Sequence, residues 1–177
     1  DFEKAYDSVS WSFLRQVLLA KGFDGSVVHR LMQLVTGGHT AVAVNGQTSN
    51  FFANGRGLRQ GDPASPLLFN FVADAISHIL SRAAAPGHIS PVSSHLIPNG
   101  ISHLQYVDDA IIMVELNDIS IMNLKFLLLC FEALSGLKIN FSKSEAIVTG
   151  VPAEEAQRVA HLLNCSLGSF PLKYLGL

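Results

Sequence analysis

The chain has 177 residues, 49% hydrophobic and 15% charged, enough for one domain with a sizeable core and too apolar for a disordered segment. No apolar run is long enough to span a bilayer and the opening DFEKAYD is polar and acidic, so neither a membrane span nor a signal peptide is expected. A net charge of −2, two widely spaced cysteines and seven scattered histidines offer no basic footprint for nucleic acid, no disulfide framework and no zinc pattern. An intracellular protein is expected, and the missing initiator methionine is expected of a piece of something longer.

Residues 8 to 21 read as a helix capped by Ser8 or Ser10, with Val9, Phe13, Leu14, Val17 and Leu18 on one face and Gly22 at its end. A second helix over 25 to 36 starts behind Asp24, with Val27, Val28, Leu31, Met32 and Val35 inward, and Gly37-Gly38 breaks it. Asn45-Gly46 between HTAVAV and QTSNFF predicts a hairpin. The glycine-rich NGRGLRQGDPASP follows, then a helix from Ser65, its cap, with Pro66 in the first turn, to about Arg82. Residues 86 to 100, rich in Pro and Gly, read as loop. Runs at 101 to 107 and 110 to 115 read as strands, 119 to 134 as a helix ended by Gly136, KINF and EAIVT as strands, 153 to 163 as a short helix, and LKYLGL as a last strand fragment. Helices mixed with hairpins predict an α+β domain with an antiparallel sheet.

The stretch HLQYVDDAIIMVEL sets Asp108 and Asp109 between apolar runs. Neighbours in a straight strand face opposite sides, which would put one acid in the core. A hairpin tip at the two aspartates removes the conflict, and Asp is at home in turns. Taken alone the stretch is either a polar turn or a metal site, because adjacent carboxylates repel and a cation relieves the repulsion. Mg²⁺ suits carboxylate oxygens when the substrate brings phosphates. A further carboxylate could come from Asp1 or Glu3, which would share a face of a strand leaving residue 1, or from Asp7, which reads as part of the turn before the first helix.

Five stretches together resemble a family. DFEKAYDSVSW, GLRQGDPASPLLF, QYVDDAII, GLKINFSKSE and FPLKYLGL, in this order, resemble the successive motifs of a reverse transcriptase palm, of the non-LTR (LINE-like) retrotransposon kind abundant in plants. The resemblance implies a palm-type antiparallel sheet with packed helices, the ferredoxin-like core of a right-hand polymerase, as one domain over 1 to 177. It implies RNA-directed DNA polymerase activity with two Mg²⁺ ions, for which Mn²⁺ can substitute, held by Asp1, Asp108, Asp109 and the backbone carbonyl of Phe2. Asp109 would serve more as a support of the tip than as an equal ligand. Tyr6 would lie under the sugar of the incoming nucleotide and exclude a 2′-hydroxyl; without the family it reads as a core aromatic. Gln60 and Gly61 would contact nucleotide and template base. Lys143 would be the general acid for the leaving pyrophosphate, against the plainer reading of a solvated lysine. Tyr174, Leu175 and Gly176 would begin the primer grip, and Arg56, Arg59, Lys138 and Lys173 could meet phosphates.

The implied partners are an RNA template, a DNA primer, dNTPs and the fingers and thumb segments of a parent polyprotein, with no membrane and a nuclear setting at target DNA. Two departures stand out. Tyr106-Val107 replaces the more frequent Phe-Ala before the acids, and Ala64 stands where Leu is common. The basic fingers and the thumb do not fall within these residues, which accounts for the charge of −2 and predicts poor nucleic-acid binding and little polymerase activity by this piece alone. Two other readings are carried: another palm-type phosphotransfer enzyme such as a nucleotide cyclase, and an inert retroelement relic or structural module.

Overall fold

A computed structural model describes residues 1–97, 100–172 and 174. The chain divides into two compact units. One comprises residues 3–77 with 131–138, the other residues 1–2, 78–130 and 139–177.

The first unit is mainly helical. The helix expected over 8 to 21 is α2, Trp11–Ala20, and a separate short helix, α1, Ala5–Ser8, precedes it. The break comes at Val9-Ser10, both extended, and Ser10 Oγ accepts the Phe13 N–H as the cap of α2. Val9, Leu14 and Leu18 are buried, as the periodicity predicts. Helix α3, Gly25–Thr36, has the expected bounds, because Asp24 caps it through the Ser26 N–H. That bond holds the Asp24 carboxyl below its ordinary value. Val28 is buried, whereas Val27 is exposed.

Strands β2, Ala43–Val44, and β3, Gln47–Thr48, form the hairpin at Asn45-Gly46, both turn residues having positive φ. β1, His39–Thr40, pairs antiparallel with β4, Phe52–Ala53. Helix α4, Ser65–Ala84, begins on Ser65 rather than after it. The Ala64 carbonyl takes the Leu68 N–H and the Asp62 carboxylate takes the Ala64 N–H, so the first turn is satisfied one residue earlier than expected. Phe69 and Val72 of α4 are fully buried, as are Phe131 and Leu137. Phe131 meets Phe13 edge-on, with centroids 6.2 Å apart.

The second unit holds β5, His103–Tyr106, and β6, Asp109–Ile112, an antiparallel hairpin. Helix α5, Asp118–Ser135, supplies buried Ile121 and Leu124 to this unit, and α6, Ala153–Leu163, supplies Ala156, Val159 and Ala160. Arg158 joins Glu155 and Asp118, and the guanidinium holds the Glu155 carboxyl below its usual range. β7, Glu145–Ala146, pairs parallel with β8, Ser166–Leu167, where an antiparallel partner was expected. KINF contributes a single bridge, Ile139 to Phe2. Residues 86 to 97 are mostly irregular, with bridges from Pro91 to Val114 and from Val92 to Ile101.

The chain is thus mixed α and β, with small two-stranded sheets among the described residues. No helix among them is long and apolar enough to cross a membrane.

Candidate functional site

In the first unit the glycine-rich loop is fastened to the segment after residue 5. The Leu58 N–H donates to the Tyr6 carbonyl at 2.6 Å, and the Gly57 N–H to the Val9 carbonyl at 2.8 Å. The Trp11 indole N–H donates to the Gly57 carbonyl at 2.7 Å, and Gln60 Nε2 to Asp7 Oδ1 at 3.1 Å. Gly57 has φ of +90°, and a Cβ there would lie 2.7 Å from the Asp7 carbonyl oxygen. Only glycine allows that approach.

Tyr6 is half-buried and stacks on Phe69, centroids 4.8 Å apart and planes 12° from parallel. Gln60 and Gly61 are exposed. A cavity of about 540 Å³ has Asp7, Arg56, Gly57, Arg59 and Gln60 among its walls. Asp7 lies within α1 rather than in a turn before a helix. Glu3 is not on a strand with Asp1; the chain turns at Glu3-Lys4, Lys4 having positive φ, and Glu3 pairs with Lys138 at 3.2 Å.

In the second unit Asp1 is set by pairing with the segment after Leu137. Its carbonyl accepts the Asn140 N–H at 3.0 Å, and Phe2 bridges Ile139. Asn140 also turns the chain, its carbonyl accepting the Lys143 N–H at 3.1 Å. That turn brings Lys143 Nζ to 3.7 Å from Asp1 Oδ2, the two side chains being 70% and 31% exposed. Two expected site residues, distant in sequence, therefore meet.

The hairpin at residue 107 differs by one residue from expectation. Tyr106 pairs with Asp109, so the two turn residues are Val107 and Asp108, and Asp109 begins the return strand. Val107 has φ of +54°, a conformation that a β-branched side chain adopts only under strain. Opposed residues share a face. Leu104, Tyr106, Asp109 and Ile111 lie on one side, where Leu104 and Tyr106 are 52% and 60% exposed. His103, Gln105, Ala110 and Ile112 lie on the other and are half-buried. The expectation of two buried strands thus holds in part for one face and fails for the other.

The donors expected for a metal are all oxygens, which suits a hard divalent cation. The acids are spread, however: among the described residues no three His, Cys, Asp or Glu side chains gather closely enough to hold a metal ion. Burial pushes the Cys165 thiol up, away from a reactive thiolate. Tyr174 is half-buried, while Lys173, Leu175 and Gly176 lie outside the described residues.

Comparison with known proteins decides the family. The family model described as reverse transcriptase (RNA-dependent DNA polymerase) matches residues 1–177. The chain belongs to the reverse transcriptase family. It is 29% identical over 147 residues, 83% of this chain and 23% of the relative, to a retrovirus-related Pol polyprotein from the type-1 retrotransposable element R2 of Popillia japonica. It is 31% identical over 161 residues, 89% of this chain and 14% of the relative, to that from the type-2 retrotransposable element R2DM of Drosophila melanogaster. An uncharacterized mitochondrial protein of Arabidopsis thaliana is 35% identical over 66 residues, 37% of this chain and 54% of that protein. The reverse transcriptase chain thus spans less than a quarter of the length of these two R2 relatives. Reverse transcriptases act with divalent metal ions on nucleic acid. The residue that sequence reasoning passed over is Trp11. Its bond reaches 46 residues along the chain to a backbone carbonyl, a partner with no side-chain signature.

Proposed function

We propose that this chain is the palm of an RNA-directed DNA polymerase from a LINE-like element of the plant kind, adding dNTPs to a DNA primer on an RNA template. The single observation that carries this reading is the family match across residues 1–177. Residues 1–177 form one palm domain with a ferredoxin-like antiparallel sheet, and fingers and thumb segments accompany it in the whole polymerase. Its setting is the nucleus, at target DNA.

Asp1, Asp108, Asp109 and the Phe2 carbonyl would hold two Mg²⁺ ions. When bound, such ions lower the pKa of the primer 3′-hydroxyl and stabilise the attacking and leaving oxygens of an in-line displacement. Lys143 donates its ammonium proton to the leaving pyrophosphate; its 3.7 Å approach to Asp1 Oδ2 supports that role. Tyr6 closes the space beside the sugar C2′ position, its ring held by the stack on Phe69, so a ribonucleotide is disfavoured. Gln60 and Gly61 contact the nucleotide and the template base, their loop fastened beside Tyr6. Tyr174, Leu175 and Gly176 begin the primer grip.

The test is primer extension on an RNA template by the polypeptide that carries this chain within its whole reading frame, with Asp108→Ala beside it. Extension by the wild type and none by the variant is expected. A folded, intact polypeptide that extends nothing would make the chain an inert module. The isolated 177-residue chain is expected to show little or no extension.

A further inference from the structure

We infer that Trp11 is a positioning residue for nucleotide selection: its indole N–H clamps the Gly57 carbonyl and so sets the loop bearing Gln60 and Gly61 against the segment bearing Tyr6. The inference rests on the polymerase reading above, because it concerns what that loop does for a nucleotide.

Four hydrogen bonds tie residues 57 to 60 to residues 6 to 11. Two are backbone to backbone, from Leu58 to Tyr6 and from Gly57 to Val9, and any sequence of the same conformation keeps them. The Gln60–Asp7 bond joins two exposed side chains and competes with water. The Trp11 bond, at 2.7 Å and half-buried, is the side-chain bond least open to that competition. It also completes Gly57. That residue gives its N–H to Val9 and its carbonyl takes the indole, while its Cα rests against the Asp7 backbone, where no Cβ fits. Gly57 is thus held on three sides, and its φ of +90° sets the path of the chain into Leu58, Arg59 and Gln60.

The Tyr6 ring is fixed independently of the loop, by its stack on Phe69. The distance between a fixed ring and a loop is what a steric filter for the nucleotide sugar depends on. The indole N–H is the one donor in this set that a single substitution removes while leaving an aromatic ring in place. Trp11 is also the sole tryptophan of the chain, so fluorescence of the 177-residue chain reports on this indole alone.

The test is Trp11→Phe, which keeps the ring and removes the donor. Trypsin cuts after Arg56 and Arg59, within the clamped loop. In the 177-residue chain the variant is expected to be cleaved there roughly 3- to 10-fold faster, the order of one lost hydrogen bond, with cleavage elsewhere and the far-UV dichroism unchanged. In the whole reading frame, the variant is expected to raise KM for dNTPs and narrow the preference over rNTPs, with kcat changed less. A purely structural role would not produce that split. Unchanged cleavage at Arg56 and Arg59 overturns the clamp. Faster cleavage with unaltered KM and sugar preference overturns its role in selection. A wild type that extends no primer sinks the polymerase reading and with it the selection half, while the protease still decides the clamp. Should Trp11→Phe unfold the chain, acrylamide quenching of Trp11 emission in the wild-type 177-residue chain replaces it, and an indole as accessible as free tryptophan overturns the clamp.

Discussion

The loop at residues 56 to 61 and the hairpin at residues 103 to 112 both carry proposed chemistry, yet they are held in different ways. The loop is fastened by four hydrogen bonds to a segment whose neighbours Val9 and Leu14 are fully buried. The hairpin is held by its own ladder, with Leu104 and Tyr106 bare on one face and a strained Val107 at its turn. The loop's geometry is imposed by a core, so it is costly to disturb. The hairpin's geometry is set by a two-residue turn, so substitutions there should change local shape more than global stability. A filter for a rigid sugar needs the first kind of support.

The largest effect should come from the core beneath the loop. Phe69→Ala removes a fully buried ring and the stack under Tyr6 and should cost about 3–5 kcal/mol in urea unfolding. Leu104→Ala on the bare hairpin face should stay within about 0.5 kcal/mol. Equal costs would erase the contrast between the regions.

Next comes a pair of glycines within one loop. A Cβ at Gly57 runs into the Asp7 backbone, whereas one at Gly61, φ +85°, meets nothing within 4 Å. Both Ala variants bear the cost of positive φ, about 1–2 kcal/mol, but Gly57→Ala adds a backbone displacement. It should be the more destabilising by at least ~1 kcal/mol, measured as a shift in urea midpoint at constant slope.

A smaller effect with the opposite sign is expected at the hairpin. Val107→Asn places at φ +54° a residue that tolerates the left-handed region. It should stabilise the chain by about 0.5–1 kcal/mol, and a thermal melt would show it as a raised midpoint. A destabilised variant would mean that the valine side chain has a packing role that its exposure does not suggest.

These contrasts also mark what the sequence made legible. Helices over 25–36 and 153–163 were readable to the residue, the first because Asp24 marks its start and Gly37-Gly38 its end. The turn at Asn45-Gly46 was readable because few other residues accept two successive positive φ angles. The aspartate hairpin was misplaced by one residue for the same reason in reverse. Turn chemistry favours Asp108-Asp109, and nothing local suggests that Val107 would enter the left-handed region. The parallel pairing of β7 with β8 was invisible, being two residues long and about twenty apart in sequence. So was the Trp11 clamp. The family's motifs pointed to Asp1 and Lys143 separately, but their contact was not read from the sequence, since neither residue signals the other.

That contact gives the smallest prediction. Lys143 and Asp1 are 3.7 Å apart with much of both side chains in water, so their attraction is screened and weak. Lys143→Gln should change unfolding free energy by less than about 0.5 kcal/mol at low salt, and the difference should vanish near 1 M salt. The small size is informative. A group that must release a proton to pyrophosphate cannot be locked in a strong, buried pair, because breaking that pair would add to the barrier. A loss well above 1 kcal/mol that persists in salt would place Lys143 among the structural supports, on the loop's side of the contrast, and remove it from the proposed chemistry.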